Sequence, residues 1–496
     1  MIQLTIFSFF PEIVTIFLIF FAYFWGMLAQ TDLPEQQNFI VKCPGYFLQT
    51  IYVGTFLVAF YFFFYAPNHF KEKIFLPFVQ VTQLSFFVKN LIFLIGAAWL
   101  GFRLRIVRRS LQRDFVSSFE YLFFASLHLL SCLLVVSAQN FLFLYLVFIL
   151  QHISFFFLSY REEDEVEAKK SLLKHAVFDL MALLVLAIAL IGMYLGAGAL
   201  HFSSIGNAAQ AVTSLGSPYQ DWARLSLFMV IFYVFSRLRA FPFCFFRDTV
   251  PLFLPRAGVL HVICQVFSIL FIFGVALTKC FSSLIDIWGN LLFYGGFLSL
   301  VWASLTLLFQ DDIRKFLSSI VLFYGGMVLM CISVGNTNGL NAALFYSVLF
   351  LVNAATLIYF LINVSINDMN ISSLSQISGL GQKHPATAII LAVCLLSLAS
   401  VPPFSGFWTT LYVLKELIFK GWIYVAIILL CIVLSSFQYF HVMRLLYFSR
   451  GYNQLDLTES WKSTWLVVPI FLTFFFLFHK HIIAFISIVT NSSWSS

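Results

Sequence analysis

Long apolar runs, separated by short polar connections, follow one another along the whole chain. We count fourteen runs of about 20 apolar residues, the length that a membrane-spanning helix needs. They cover residues 5–29, 47–65, 82–102, 119–138, 140–159, 172–197, 224–245, 256–278, 283–308, 317–336, 340–363, 386–413, 421–447 and 463–490. Lipid offers the backbone no hydrogen-bond partners, and the strands of a membrane barrel would alternate in short segments. The pattern therefore predicts an all-α polytopic membrane protein with about fourteen transmembrane helices.

The composition supports a membrane protein. Hydrophobic residues make up 61% of the chain and charged residues 10%, whereas an ordinary soluble domain is about 25% charged. The first run is long enough to span a membrane and lacks a small-residue cleavage pattern after it, so we interpret it as a helix and not as a signal peptide. The 65 phenylalanines are typical of a T-rich gene, as in many mitochondrial genomes.

Basic residues concentrate in the loops that follow odd-numbered helices. The loop after helix 3 alone contains Arg103, Arg105, Arg108, Arg109 and Arg113. The positive-inside rule then predicts that the odd-to-even loops face the cytoplasm or the mitochondrial matrix, with both termini on the opposite side. This arginine cluster is short and lies beside the membrane, so it does not indicate a nucleic-acid partner.

Sequence motifs for cofactors are missing from the chain. None of the eight cysteines forms a CxxC pair, and we expect them to be small buried hydrophobic residues. There is no GxGxxG dinucleotide motif after a strand and no phosphate-binding loop. The sequence thus predicts no metal, no cofactor and no catalytic site in this chain.

Two of the predicted helices are interrupted by proline. Helix 7 ends in "FSRLRAFPF" with Pro242, and helix 12 contains "LASVPPFSGFW" with Pro402, Pro403 and Gly406. Proline removes a backbone donor, and the freed carbonyls need partners inside the protein. The breaks lie five helices apart, which predicts inverted five-helix repeats, helices 4–8 and 9–13, with an ion path between broken helices. The alternative is that proline is simply frequent in membrane helices.

The predicted helices contain few ionisable side chains. Such groups are costly in a bilayer and face the bundle interior or water. They are Glu12, Lys89, Lys174, Asp179, Arg237, Arg239, His261, Lys415, Glu416, His441 and Arg444. Glu12 and Arg444 are interpreted as residues that reach the interface from helix ends. Burial can neutralise lysine but not arginine, so Arg237 can hold a carboxylate or water but is a poor site for storing a proton.

Several stretches resemble subunit 2 of mitochondrial NADH dehydrogenase, a family of antiporter-like membrane subunits of respiratory complex I. The most specific similarity lies in residues 119–160, "FEYLFFASLHLLSCLLVVSAQNFLFLYLVFILQHISFFFLSY". The others are "SFFPEIVTIFL", "EAKKSLLKHAVFDL", "IRKFLSSIVLFYGGM" and "SLASVPPFSGFWTTLYV". The similarity extends over nearly the whole chain.

This resemblance implies one antiporter-like domain over residues 1–496. Helices 1–3 would occupy 1–104, the first repeat 115–280, the second repeat 281–450, and helix 14 would lie in 451–496. The resemblance also implies the mitochondrial inner membrane, contacts with other membrane-arm subunits and with lipids such as cardiolipin, and no cofactor on this chain. NADH oxidation and ubiquinone reduction would take place in other subunits, coupled to proton translocation.

The resemblance assigns a proton path, with departures from the family pattern. Lys174 falls on the helix 6 lysine, Arg237 on the helix 7 lysine, and His261 near the helix 8 group. Tyr324 replaces a helix 10 histidine. Lys415 and Glu416 follow the helix 12 lysine position within about a turn and a half. The proton-path candidates are therefore Lys174, Arg237, His261, Tyr324, Lys415 and Glu416.

Two family charges are replaced, which leaves the function open. Ile149 stands at the helix 5 glutamate and Thr410 at the helix 12 lysine. Without a carboxylate at position 149, Lys174 loses its expected partner. We therefore expect an impaired or rerouted proton channel. The alternatives are a purely structural membrane-arm subunit and an Mrp-type cation/proton antiporter, although an antiporter would favour the intact lysine–glutamate pair.

Overall fold

A computed structural model gives the fold of the central part of the chain. It describes residues 9–29, 78–93, 96, 115–162, 166–215, 219–245, 273–366, 369–370, 373–449, 455–457, 480–484, 486–488 and 490. Predicted helices 2, 8 and 14 lie wholly or mostly outside the described residues, and so do His261 and the arginine-rich loop after predicted helix 3.

The described part is nearly all helical. Its helices, in chain order, are α1 (Phe10–Ala29), α2 (83–93), α3 (Phe115–Ser137), α4 (Phe141–Glu162), α5 (Val166–Ala197), α6 (Phe202–Leu215), α7 (Tyr219–Leu238), α8 (273–280), α9 (Ile285–Leu307), α10 (Ile313–Ile332), α11 (Thr337–Asn363), α12 (Leu380–Lys383), α13 (Pro385–Leu398), α14 (Ser405–Leu417), α15 (Trp422–Phe448) and α16 (480–484). Short 3₁₀ turns cover 243–245, Ser282–Leu284, Leu374–Ile377 and Ile418–Lys420.

Several of these helices can cross a bilayer. Within the described residues, six are long and apolar enough: Phe141–Tyr160, Lys169–Ala197, Asp221–Phe245, Ser282–Leu307, Lys315–Ile332 and Trp422–Phe448. Helix α5 shows how they are built, since Val177, Leu184 and Ile191 on its outer face are more than half exposed. An outer surface of large aliphatic side chains suits contact with lipid or neighbouring membrane subunits. The predicted helical membrane class is confirmed for this part of the chain.

The sequence analysis did not predict two small elements. Helix α6 lies between predicted helices 6 and 7, and it buries Phe202, Ile205 and Ala209 at helical spacing. Its serines, alanines and glycine kept it below the hydropathy of a spanning run. Strands β1 (Val364–Ile366), β2 (Met369–Asn370) and β3 (Leu455–Leu457) form an antiparallel sheet in the order β2-β1-β3. These strands are too short for a period-based signal.

The chain divides into two compact units. Unit 1 holds the described residues up to Tyr233, residues 273–283 and Thr490, and unit 2 holds Val234 to residue 245 and Leu284 to residue 488. In unit 1, α1 packs on α3, α3 on α4, and α4 on α5. In unit 2, α9 packs on α10, and α11 packs on α10, α13 and α14.

The two units share one loop arrangement. In unit 1, Asn140 forms an antiparallel bridge with His201, and in unit 2 Asp312 forms the same bridge with Ser373. The sequence separation between the two bridged partners is identical in the two units. The neighbouring backbone bonds recur as well, since Phe202 N–H donates to the Gln139 carbonyl (3.0 Å) and Leu374 N–H to the Asp311 carbonyl (2.7 Å). The two stretches of chain thus share the way in which consecutive helices are joined.

Glycines allow α9 and α10 to pack with their backbones in close approach. A Cβ atom on Gly326 would lie 2.6 Å from the Gly296 carbonyl oxygen, and a Cβ on Gly296 would lie 2.7 Å from the Gly326 carbonyl oxygen. Neither oxygen belongs to a side chain that could turn away. The two helices can therefore pack at this distance only because both positions lack a side chain.

We expect Gly326→Ala to destabilise unit 2 by about 1–3 kcal/mol, since the added methyl group would overpack the α9–α10 contact. Gly325→Ala is the matched control, because the nearest atom to its Cβ is Leu238 Cδ2 at 3.9 Å. The thermal unfolding temperature of the purified variants measures the difference. Equal unfolding temperatures for the two variants would contradict the close approach of these helices.

Candidate functional site

The first helix break follows α7. The helix ends at Leu238, and Arg239 adopts a left-handed backbone conformation with φ of 53°. Ala240 N–H then donates to the Phe235 carbonyl (2.9 Å), and Phe243 N–H to the Ala240 carbonyl (2.7 Å). Phe241 N–H donates to Ser299 Oγ of α9 at 2.8 Å. The turn before Pro242 is therefore anchored on a neighbouring helix of unit 2.

The second break lies between α13 and α14 and has the same backbone pattern. Ser400 has φ of 56°, Val401 N–H donates to the Leu396 carbonyl (3.1 Å), and Phe404 N–H donates to the Val401 carbonyl (3.0 Å). Each of these residues lies the same number of positions after the corresponding residue of the first break. Pro403 thus corresponds to Pro242, and the two breaks are the same local structure.

Polar side chains of unit 2 form hydrogen bonds around the second break. Asn353 Nδ2 donates to Ser397 Oγ at 2.9 Å, and Ser397 Oγ lies 3.2 Å from Ser405 Oγ. Thr410 Oγ1 donates to the carbonyls of Gly406 (3.1 Å) and Phe407 (2.9 Å). The bonds of Asn353, Ser397 and Ser405 thus join α11, α13 and α14 at the break. Thr410 bonds to its own helix.

Charged side chains are buried at the end of α7, just before the first break, and in the last turn of α14. Arg237 is 1% exposed, Arg239 is 4% exposed and Glu416 is 5% exposed. Lys415, the neighbour of Glu416, is exposed. Adjacent residues of a helix point to different faces, so α14 directs its carboxylate into unit 2 and its ammonium group to the outer surface. The structure does not bring these two candidate residues together.

Tyr324, a sequence candidate on α10, lies in a buried aromatic cluster. Its ring stacks on Phe350 at 3.9 Å and on Tyr346 at 4.8 Å between centroids. The hydroxyl groups of Tyr324 and Tyr346 interact, and Tyr439 of α15 is the third buried tyrosine of this region. The cluster gives the interior of unit 2 polar groups that can exchange hydrogen bonds without carrying charge.

Unit 1 contains a buried ion pair that the sequence analysis misjudged. The Lys89 ammonium group of α2 pairs with the Glu12 carboxylate of α1, and the two residues are 0% and 4% exposed. Lys89 Nζ also lies 5.6 Å from the ring centroid of Phe9. Glu12 was expected to reach the membrane interface. That expectation is wrong, because a cation from a distant part of the sequence holds the carboxylate in the interior.

A second buried ionic cluster joins α4 and α5. His152 Nδ1 lies 3.1 Å from Asp179 Oδ2, and His175 Nε2 lies 3.2 Å from the same oxygen. His175 and Asp179 are one turn apart on α5. The sequence analysis named Asp179 as an intramembrane charge but neither histidine as a site residue. The i,i+4 spacing of His175 and Asp179 could have revealed half of this cluster.

A polar network on α3 continues beside this cluster. His128 Nδ1 lies 3.2 Å from the Gln151 carbonyl and 3.1 Å from Ser154 Oγ. Gln151 Nε2 donates to Cys132 Sγ at 3.3 Å. The Phe155 ring lies between two histidines, with centroids 6.0 Å from His128 and 5.8 Å from His175. Imidazole groups of three helices are thus grouped around the middle of α4.

The family-derived candidates of unit 1 lie elsewhere. Lys174 is exposed on the outer face of α5, and Ile149 is partly buried on α4. Neither belongs to the histidine–aspartate cluster, although each is close to it in sequence. The six cysteines among the described residues are buried, as expected, and are not in disulfides: Cys132, Cys244, Cys280, Cys331, Cys394 and Cys431.

Taken together, apolar spanning helices, two equivalent helix breaks and buried charges in each unit define a polytopic membrane protein of the antiporter-like class. The profile of the family described as NADH:quinone oxidoreductase/Mrp antiporter, transmembrane region, matches residues 138–437. This match covers more than half of the chain and includes both breaks. The chain belongs to this family.

Individual relatives agree with this assignment. The chain is 23% identical to NADH-quinone oxidoreductase subunit N of Pelagibacter ubique over 439 residues, which cover 88% of this chain and 91% of the relative. It resembles a chain of respiratory complex I from Thermus thermophilus with a TM-score of 0.70 and 17% identity, over 96% of this chain and 98% of the other. A chain of the Mrp complex from Dietzia sp. gives a TM-score of 0.75 and 13% identity, over 98% and 96%. These likenesses confirm the fold class.

Proposed function

We propose that this chain is the antiporter-like membrane-arm subunit of a proton-translocating NADH:quinone oxidoreductase, the counterpart of bacterial subunit N. The observation that carries the proposal is the pair of equivalent helix breaks, with Arg237 and Arg239 buried at the first. Broken helices at matching positions place backbone groups and charges in the interior of the protein, which is typical of an ion path. The likeness to subunit N over most of both chains favours NADH oxidation as the coupled reaction.

The finer setting that we propose is mitochondrial. The chain would be subunit 2 of complex I in the inner membrane, with its odd-to-even loops on the matrix side and both termini on the intermembrane-space side. The motifs of residues 8–18 and 119–160 and the phenylalanine-rich composition support this setting. Its partners would be other membrane-arm subunits and lipids such as cardiolipin. NADH and quinone would react on other subunits, and this chain would bind no cofactor.

The domain layout that we propose has two repeats, over residues 115–280 and 281–450. Helices 1–3 precede them in 1–104, and the C-terminal helix 14 follows in 451–496. Two recurrences support this layout, the loop bridge that each unit contains and the helix break that appears twice with the same backbone hydrogen bonds. A gene duplication that preserved both local structures explains why two distant stretches share their backbone hydrogen bonds.

Within this function the residues divide by chemistry. Arg237 cannot release its proton, so it would supply a fixed positive potential next to the break. Glu416 and Tyr324 can accept or donate hydrogen bonds in the interior of unit 2. Lys174, His261 and Lys415 remain proposed members of the path, and the two lysines would act from the outer face of the chain.

Two other functions have specific support. A purely structural subunit is favoured by Ile149 and Thr410, which cannot carry a charge at the family's charged positions. A cation/proton antiporter is favoured by the likeness to a chain of the Mrp complex. The proton-translocating function is preferred because both units keep buried ionic groups, which are costly inside a membrane and mark ion pathways.

Native purification tests the proposed function. The chain would be tagged at its C-terminus, extracted in mild detergent and separated on a native gel stained for NADH dehydrogenase activity. We expect the chain to migrate with NADH:quinone reductase activity and to be retained with it through a second affinity step. A tagged chain that migrates apart from this activity, and supports sodium/proton exchange in vesicles, would overturn the proposal in favour of an antiporter.

A further inference from the structure

The His152–Asp179–His175 cluster lies within two apolar spans, Phe141–Tyr160 and Lys169–Ala197, and not at their ends. His175 and Asp179 lie in the third and fourth turns of α5, and His152 lies at the middle of α4. At about 1.5 Å per residue these positions place the three side chains roughly 14–20 Å from the α4–α5 connection. The hydrocarbon core of a bilayer is about 30 Å thick. Ionisable side chains kept at that depth are expensive, so their presence indicates a function.

The geometry converges on one atom. Asp179 Oδ2 faces His152 Nδ1 at 3.1 Å and His175 Nε2 at 3.2 Å, and the three side chains are 4–10% exposed. A carboxylate in this position is stabilised when one of the two imidazoles carries a second proton and donates it to Oδ2. The second imidazole can take up this proton once it has passed to Oδ2. With one such proton the charges of these three side chains sum to zero, and either imidazole can hold it.

We propose that His152, Asp179 and His175 form a proton-holding relay, in which one proton passes between the two imidazoles through Asp179 Oδ2. The proposal rests on the proposed function and names the titratable site of the first repeat. Its chemistry differs from a lysine–glutamate pair, because the carboxylate is on α5 and a base is on α4. His152 lies one turn after Ile149 on α4. A titratable side chain is therefore present one turn from the position where the family has a glutamate.

The transfer is balanced and needs no other reactant. The N–H bond of protonated His175 breaks, and its proton binds Asp179 Oδ2, which leaves neutral histidine and neutral aspartic acid. The O–H bond then breaks, and the proton binds His152 Nδ1, which restores the carboxylate. The reverse sequence returns the proton. No electrons are transferred, and the net charge of the cluster is the same before and after.

The groups around the cluster favour a proton over a metal ion. No set of histidine, cysteine or carboxylate side chains in the described part of the chain is placed to hold a metal. Towards α3, the titratable neighbour is His128, which contacts α4 one residue from His152. On α5, Lys170 and Lys174 are exposed, and His201 lies beyond the far end of that helix. Histidine titrates near neutral pH, as a relay requires.

Histidine protonation can be read directly by nitrogen-15 NMR. The full chain would be labelled in its ten histidines, embedded in lipid bilayers, and recorded between about pH 5 and 8, where histidine titrates. Single His→Gln variants at 152 and 175 assign the signals. We expect a cationic imidazole shared by these two residues near neutral pH, and we expect Asp179→Asn to abolish it. Asp179→Glu should restore it.

The control is Asp221→Asn, which removes an aspartate with an 86% exposed side chain on α7. It should leave the two signals unchanged. The relay is overturned if both imidazoles are neutral throughout this pH range, or if Asp179→Asn keeps the cationic signal. If Asp179→Asn does not fold, His152→Gln still tests the relay. It must shift the cation wholly to His175, and a His175 signal identical to wild type would overturn the relay.

This measurement is independent of the proposed function. The NMR signals report protonation in the chain alone, whereas migration with NADH dehydrogenase activity reports the assembly. A chain that migrates with the activity but lacks the shared proton loses the relay and keeps its place in the complex. If the chain shows the shared proton but migrates apart from the NADH dehydrogenase activity, the relay is supported and the chain belongs to another transporter.

Discussion

Replacing Lys89 with methionine is expected to destabilise the chain by about 3–5 kcal/mol, the cost of leaving one partner of a buried ion pair alone. Lys89 is fully buried and pairs with Glu12, which is 4% exposed. Without the ammonium group, the Glu12 carboxylate must either stay charged in the interior or bind a proton. The thermal unfolding temperature of the purified chain in detergent measures the effect, and the variant should fall far below wild type.

Two controls distinguish the effect of breaking the Glu12–Lys89 ion pair from the effect of removing a charged side chain. The double variant Glu12→Gln/Lys89→Met should recover most of the stability, because neither charge remains to be solvated. Arg224→Met should stay within about 0.5 kcal/mol of wild type, since Arg224 and Asp221 are exposed and 4.0 Å apart. The loss of stability in the double variant is compared with the losses in the single variants Glu12→Gln and Lys89→Met. A double-variant loss equal to the sum of the two single losses would show that Glu12 and Lys89 do not stabilise each other.

Substituting Gly406 with alanine should disrupt the second helix break. The alanine Cβ would occupy the position of the Ser397 carbonyl oxygen, a backbone atom at the end of α13. Backbone cannot turn aside, and Ser397 is itself buried and bonded to Asn353. We expect a loss of more than about 3 kcal/mol, at the upper end of overpacking effects, and poor accumulation of the chain in membranes.

Gly196→Ala provides the comparison for this change. Gly196 also lies in a helix, but the nearest atom to its added Cβ is Trp222 Cβ at 3.7 Å, which is an ordinary contact. Alanine favours helix by up to about 1 kcal/mol over glycine, so this variant should be neutral or slightly stabilised. Membrane content on an immunoblot and the unfolding temperature give the comparison. Equal behaviour of the two variants would contradict the packing of α14 on Ser397.

The helix breaks were predictable from sequence because their cause is local. Pro242 and Pro403 cannot donate a backbone hydrogen bond, and the structure ends a helix just before each of them. Their partners were not predictable. Ser299 and Asn353 come from other helices, so only the packed structure shows that Ser299 accepts from Phe241 N–H and that Asn353 bonds to Ser397.

The buried charges were harder to place, since burial depends on non-local contacts. Glu12 lies near a helix end and was predicted to reach the membrane interface, but in the structure it pairs with Lys89 in the interior. Lys174 was chosen because it falls on the family's helix 6 lysine, and Lys415 because it follows the helix 12 lysine position within about a turn and a half, but both face outward. The His175–Asp179 spacing was visible in the sequence, whereas the contribution of His152 depends on how α4 packs on α5.

The most direct test of proton translocation through this subunit is the number of protons moved per electron in liposomes that contain the purified complex. Arg237→Gln removes a cation that is 1% exposed at the first break, and Arg224→Gln removes an exposed arginine from the same helix. Arg237→Lys keeps the charge. Native gels would show that all three variants assemble.

We expect Arg237→Gln to lower the proton-to-electron ratio while NADH oxidation in uncoupled liposomes continues. Arg224→Gln should keep the wild-type ratio, and Arg237→Lys should retain more of it than Arg237→Gln does. An Arg237→Gln complex that is fully assembled and moves as many protons per electron as wild type would contradict proton translocation near this break and would leave the chain a structural subunit.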